Sequence, residues 1–123
     1  MNGSSIVADT SLLVNFFNGM ELALEILEDR TIWYATITEI ELLCYPKLSK
    51  DEAALIKSFL EQCVQQDLTK SVRYEAITIR KKYRLKIPDA IIAATAITCS
   101  LPLITMDSDF EQVENLDVLI AEI

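Results

Sequence analysis

The sequence predicts an α/β fold: a parallel sheet of about four to five short strands in three α/β/α layers, with helices on both faces. Three observations predict it. Short apolar runs alternate with segments of helical periodicity along the chain. The apolar runs are nearly continuous, as in strands buried on both faces. With two glycines and three prolines in 123 residues, no linker or repeat divides the chain, so residues 1–123 form one domain.

Ser5-Ile6-Val7-Ala8 reads as a buried strand that stops at Asp9. From Thr10 to Asn18, Leu12, Leu13, Phe16 and Phe17 recur at helical spacing, and Asn18-Gly19 makes a turn. Glu21 to Glu28 forms a short helix. Thr31 to Ala35 is β-branched and aromatic, hence a strand, with Trp33 and Tyr34 in or beside the core. Thr38 to Tyr45 is a helix halted by Pro46. Ser49 and Glu52 form a capping box for a helix with Leu55, Ile56, Phe59, Leu60 and Cys63 on one face. Val64 to Leu68 is a weak strand. Ser71 to Tyr83 is a helix with Val72, Ala76, Ile79 and Tyr83 inward. Pro88 to Cys99 is an alanine-rich helix with proline in its first turn. Leu103 to Thr105 and Val118 to Ile120 are the last strands.

Composition excludes several chemistries. Half of the residues are hydrophobic, which fits a globular chain. There is no histidine, which removes Ser-His-Asp triads, Cys-His pairs and imidazole zinc sites together. Cys44, Cys63 and Cys99 form no CxxC pair and read as buried apolar residues in a reducing cytoplasm. Met1 to Ser5 carry no feature of a leader, and no apolar run is long enough to span a membrane. The net charge of −8 opposes general nucleic-acid binding, but Arg80, Lys81, Lys82, Arg84 and Lys86 form one dense basic run.

Ligands of open parallel sheets bind beyond the carboxyl ends of the strands. Asp9 follows the first strand, Thr36 to Glu41 the second, and Asp107 the strand at Leu103; Asp89 opens the alanine-rich helix. Carboxylates from several segments suit Mg²⁺ or Mn²⁺. Each also has a structural alternative. Asp9 suits a helix cap, Thr38-x-x-Glu41 a capping box, Asp89 a helix dipole, and Asp107-Ser108-Asp109 a turn in which Asp109 caps Phe110 onward. The acids together favour a metal site, because Ser, Thr and Asn serve as caps equally well.

Four segments carry a resemblance. Ile6-Val7-Ala8-Asp9-Thr10-Ser11, Ile37-Thr38-Glu39-Ile40-Glu41-Leu42, Pro88-Asp89-Ala90-Ile91-Ile92-Ala93-Ala94-Thr95-Ala96 and Leu103-Ile104-Thr105-Met106-Asp107-Ser108-Asp109-Phe110 occur in that order over nearly the whole chain. Together they resemble the PIN-domain family, and within it the toxins of VapBC type II toxin–antitoxin systems. The second segment is similar to the family's T-x-x-E-L motif, which selects Glu41 over Glu39. Cys44-Tyr45-Pro46 stand where the family often has glycine, and the Asp-Phe pair lies closer to Asp107 than in many members.

The resemblance implies a metal-dependent endoribonuclease in which Asp9, Glu41, Asp89 and Asp107 hold one or two Mg²⁺ or Mn²⁺ ions. Metal-generated hydroxide would attack the RNA phosphodiester in line, leaving a 5′-phosphate and a 3′-hydroxyl. Thr10 and Thr105 are candidates for positioning water or phosphate, and Asp109 for an additional ligand. Arg80, Lys82, Arg84 and Lys86 are candidates for gripping RNA phosphates, or form a solvated helix end. The implied partners are a structured RNA such as tRNA, a cognate antitoxin and a second copy in a homodimer; the implied compartment is the cytoplasm. A PIN-like scaffold without activity is the alternative, and it predicts a disrupted acid set. A haloacid-dehalogenase-like phosphoryl transferase needs D-x-D after its first strand, where Asp9-Thr10-Ser11 stands.

Overall fold

The structure, a computed structural model, describes residues 4–122. Met1, Asn2 and Gly3, on which part of the leader expectation falls, lie outside the described residues. The strands are β1 (Ser5–Ala8), β2 (Thr31–Ala35), β3 (Val64–Gln66), β4 (Leu103–Thr105) and β5 (Val118–Ile120). The helices are α1 (Thr10–Phe17), α2 (Glu21–Leu27), α3 (Thr36–Leu43), α4 (Lys50–Glu61), α5 (Lys70–Lys82) and α6 (Ile87–Cys99), with a 3₁₀ turn at Ser108–Gln112.

All neighbouring strands are parallel, in the order β3-β2-β1-β4-β5. The chain therefore lays β1, β2 and β3 outward in one direction, then returns to place β4 and β5 on the other side of β1. The strand order reverses between β1 and β4, and ligands of such sheets bind outside the strands' carboxyl ends at that junction.

Side chains alternate between the sheet's two faces. Val7, Trp33, Ala35 and Leu103 join the core formed with α5 and α6, whereas Ile6, Ala8, Ile32, Tyr34 and Ile104 join the core with α1, α2 and α4. On the second face Phe16 and Phe17 meet Phe59 with ring centroids 4.7 and 5.3 Å apart. Such aromatic pairs add to area burial. On the first face, Ala90, Ala93, Ala94 and Ala96 of α6 are fully enclosed, so this helix lies close against the sheet.

Local chemistry sets the boundaries. Ser49 and Glu52 form the expected capping box. Gly19 closes the turn after α1 with φ of +80°, a conformation that glycine adopts without strain. β2 ends at Ala35, paired with Gln66, as expected, but α3 begins immediately at Thr36, two residues before the expected start. β3 stops at Gln66 rather than Leu68, because Thr69 turns aside to cap α5 through the Val72 amide. Leu55 is largely exposed rather than inward, and Cys63 falls beyond α4. The cysteines are free thiols but not buried ones: Cys44 is exposed at the end of α3, and Cys63 and Cys99 are half-buried. Among the described residues, no helix is long and apolar enough to cross a membrane.

Candidate functional site

Asp9 directly follows β1, at the carboxyl end of the strand that pairs with β4. It is the N-cap of α1, its Oδ1 accepting from the Leu12 amide at 3.0 Å. Its cap role and its place at the strand end therefore coincide. Ser11 Oγ lies 3.0 Å from Oδ1 and 2.8 Å from Oδ2, and Thr105 Oγ1 donates to Oδ2 at 2.6 Å. The carboxyl is buried, and desolvation raises its pKa above the ordinary carboxylate value. The bonds from Thr105, Leu12 and Ser11 oppose that rise, and the charge of Asp107 adds to it.

Asp107 follows β4. Its amide donates to Thr105 Oγ1 at 3.0 Å, and its Oδ1 accepts from the Asp109 amide at 2.9 Å. Asp107, rather than Asp109, thus caps the 3₁₀ turn. Asp109 projects from that turn as an exposed residue.

Glu41 stands on α3, where Thr10 Oγ1 of α1 reaches its Oε1 at 2.7 Å. The same Thr10 oxygen lies 3.1 Å from Thr38 Oγ1. Thr38 is fully buried inside α3 and does not cap it; Ala35 holds the cap position and makes no side-chain bond there. The capping-box alternative for Thr38 and Glu41 therefore falls, because the helix begins one half-turn earlier.

Asp89 lies in the first turn of α6, behind Pro88. Its pKa is pushed up to about 6, first by burial and then by the charges of Asp107, Asp9 and Glu41, while Lys86 pulls it down. Four acids from four separate segments are thereby brought within electrostatic reach of one another. Shared repulsion of this kind marks functional carboxylate clusters.

Among the described residues, no group of three or more acid or cysteine side chains is drawn tightly enough to enclose a metal ion. The donor chemistry nevertheless fits a hard cation. Mg²⁺ commonly takes one or two direct carboxylates and keeps water in its other positions. Both oxygens of Asp9 and one each of Glu41 and Asp107 accept hydrogen bonds, so among the described residues Asp89 is the freest donor of the four. Cys63 offers no nucleophile, since burial pushes its thiol up to about 11.

The basic run does not form one face. Arg80 and Lys81 border an apolar groove between α5 and α6, with Ile77, Ile87 and Ile91. Lys82 turns toward Glu114 at 3.6 Å and the Tyr83 ring. The Arg84 amide bonds Gln112, and Lys86 is the member whose charge reaches Asp89. The contacts of Ser11 with Asp9 and of Thr38 with Thr10 are not legible in the sequence. Hydroxyl residues are common near helix starts, and only the fold shows which carboxylates they meet.

The family model of the PIN domain matches residues 6–116 of the chain. Among curated proteins, none matches the sequence at a significant level. Solved structures do. A chain of a toxin–antitoxin complex from Klebsiella pneumoniae is 27% identical with a TM-score of 0.81, covering 93% of this chain and 95% of that one. A chain of DNA-bound VapBC from Salmonella typhimurium is 19% identical with a TM-score of 0.82 and 98% coverage of both. A chain of VapBC2 from Rickettsia felis, bound to a DNA fragment from their promoter, is 17% identical with a TM-score of 0.81, covering 96% and 99%.

Proposed function

This chain belongs to the PIN-domain family, and from that premise we propose that it is a divalent-metal-dependent endoribonuclease, the toxin of a type II toxin–antitoxin pair. One observation carries the reading: the charges of Asp107, Asp9 and Glu41, from three other segments, all reach Asp89, beside the strand ends where the strand order reverses. The similarity to the Klebsiella pneumoniae complex supports the toxin assignment.

Asp9, Glu41, Asp89 and Asp107 would hold one or two Mg²⁺ or Mn²⁺ ions, with Asp109 beside them on the 3₁₀ turn. A divalent ion bound there supplies Lewis acidity and activates water at neutral pH. The chain's own part is orientation. Thr105 and Ser11 fix Asp9, and Thr10 fixes Glu41. Asp89 gives up its proton near neutral pH and completes the anionic site. Lys86 would meet an RNA phosphate beside the acids, with Arg80 and Arg84 as weaker, more distant contributors and Lys82 turned toward Glu114.

The acidic remainder of the surface weakens nonspecific RNA binding, which suits a selective enzyme acting on a structured cytoplasmic RNA such as tRNA. Exposed apolar residues, among them Tyr45, Leu55, Ile77 and Ile87, fit a chain that works against an antitoxin and a second copy of itself.

The test is cleavage of a bacterial RNA pool by antitoxin-free protein with Mg²⁺ or Mn²⁺, against EDTA and against Asp89→Asn. Metal-dependent cleavage lost in the variant supports the reading. A folded protein that neither cleaves nor binds metal in calorimetry selects the non-catalytic scaffold. Light scattering on the same sample tests the homodimer.

A further inference from the structure

We infer that Thr38 is a positioning residue for Glu41, acting through the Thr10 hydroxyl; the inference rests on Glu41 belonging to the site. Proton counting fixes the direction of the relay. The Glu41 carboxylate accepts and cannot donate. Thr10 has one hydroxyl proton and lies closer to Glu41 (2.7 Å) than to Thr38 (3.1 Å), so its proton goes to Glu41 Oε1. The Thr10 oxygen then accepts from Thr38. Thr38 is fully buried, and Thr10 is its hydrogen-bond partner among the described side chains. A buried hydroxyl without a partner is costly, so this bond is strongly enforced.

The relay joins two helices that leave adjacent strands. Thr10 is the first residue of α1, next to the cap Asp9, and Thr38 and Glu41 lie one turn apart on α3. Thr38 locks the Thr10 hydroxyl into a single orientation, and Thr10 holds Oε1 of Glu41. The start of α1, beside Asp9, is thereby tied to Glu41 by hydroxyls rather than by cations. Groups that orient carboxylate ligands in this way typically change metal affinity 10–100-fold when removed.

The test uses Thr38→Val, which keeps the shape and removes the hydroxyl, with Thr38→Ser as the rescue and Thr10→Val as the second site. In metal-free protein, NMR three-bond couplings of Glu41 report its side-chain rotamer. One rotamer is expected in the wild type and in Thr38→Ser, and averaged rotamers in Thr38→Val and Thr10→Val. Calorimetry with Mn²⁺ should show about tenfold weaker binding in Thr38→Val, restored in Thr38→Ser. The double variant should lose no more than Thr10→Val alone, because both substitutions break one relay. An unchanged Glu41 rotamer in folded Thr38→Val, or additive losses in the double variant, overturns the inference. A wild type that binds no Mn²⁺ but whose Glu41 loosens in Thr38→Val removes the metal reading and leaves the positioning role standing.

Discussion

The hydroxyl of Thr105 donates to Asp9 Oδ2 across 2.6 Å, joining two residues 96 positions apart in the chain. The Asp107 amide donates in turn to the Thr105 oxygen at 3.0 Å. One hydroxyl therefore ties the end of β4 to the end of β1 and sets Asp107 beside Asp9.

Replacing Thr105 by Val removes a bond to a buried carboxylate. Loss of about 1–2 kcal/mol is expected in urea unfolding at neutral pH. Because this bond lowers the Asp9 pKa, its loss moves that carboxyl further up. The penalty should shrink as pH falls and the carboxyl protonates. Equal penalties at pH 7 and pH 3 would contradict this account.

Asp89 gives the opposite sign of pH dependence. Its pKa rises from 3.8 to about 6 on folding, so the folded state binds that proton more tightly than the unfolded chain. The associated stability is full below about 3.8 and lost as pH rises through about 6. Metal-free Asp89→Asn should therefore be more stable than the wild type at pH 7, by about 1 kcal/mol after allowance for solvent screening of a half-buried group. The two proteins should converge near pH 4 in thermal melts.

Metal binding must compete with the same proton. Mn²⁺ affinity should fall on acidification through about pH 6. Calorimetry near pH 6 in two buffers of different ionisation enthalpy should show proton release in the wild type and less in Asp89→Asn. Flat affinity between pH 5 and pH 8 would mean that Asp89 takes no part.

Within the basic run, position should matter more than charge. Lys86→Glu should reduce RNA cleavage by roughly tenfold or more, since it reverses the cation nearest Asp89 and removes a phosphate contact. Lys82→Glu should leave cleavage nearly unchanged, because Lys82 is exposed and faces Glu114. Similar losses in both variants would favour a diffuse basic field.

The sheet was legible because its strands are short, apolar and separated by clear helical periods. Asp9, Asp107 and Asp89 stood out because they follow strands or open a helix. Boundaries set by tertiary pairing were not legible. The early start of α3 depends on β2 pairing as far as Ala35, and the exposure of Leu55 and Cys44 depends on which surfaces neighbouring elements cover. The 3₁₀ turn at Ser108–Gln112 is too short to show a period, which is why Asp109 rather than Asp107 looked like its cap. The relay through Thr38 was hidden for a related reason: its partner lies 28 residues away, and no local pattern reports that distance.

The enclosed alanines of α6 have a genetic corollary. Ala93, Ala94 and Ala96 have no exposed surface, and overpacking a tight core costs about 1–3 kcal/mol. A bulkier residue there lifts the helix from the sheet and carries Asp89 away with it. If cells are made to express this protein without its antitoxin, missense survivors should accumulate along this one helix as well as at the four acids, and many should still yield soluble, folded chains.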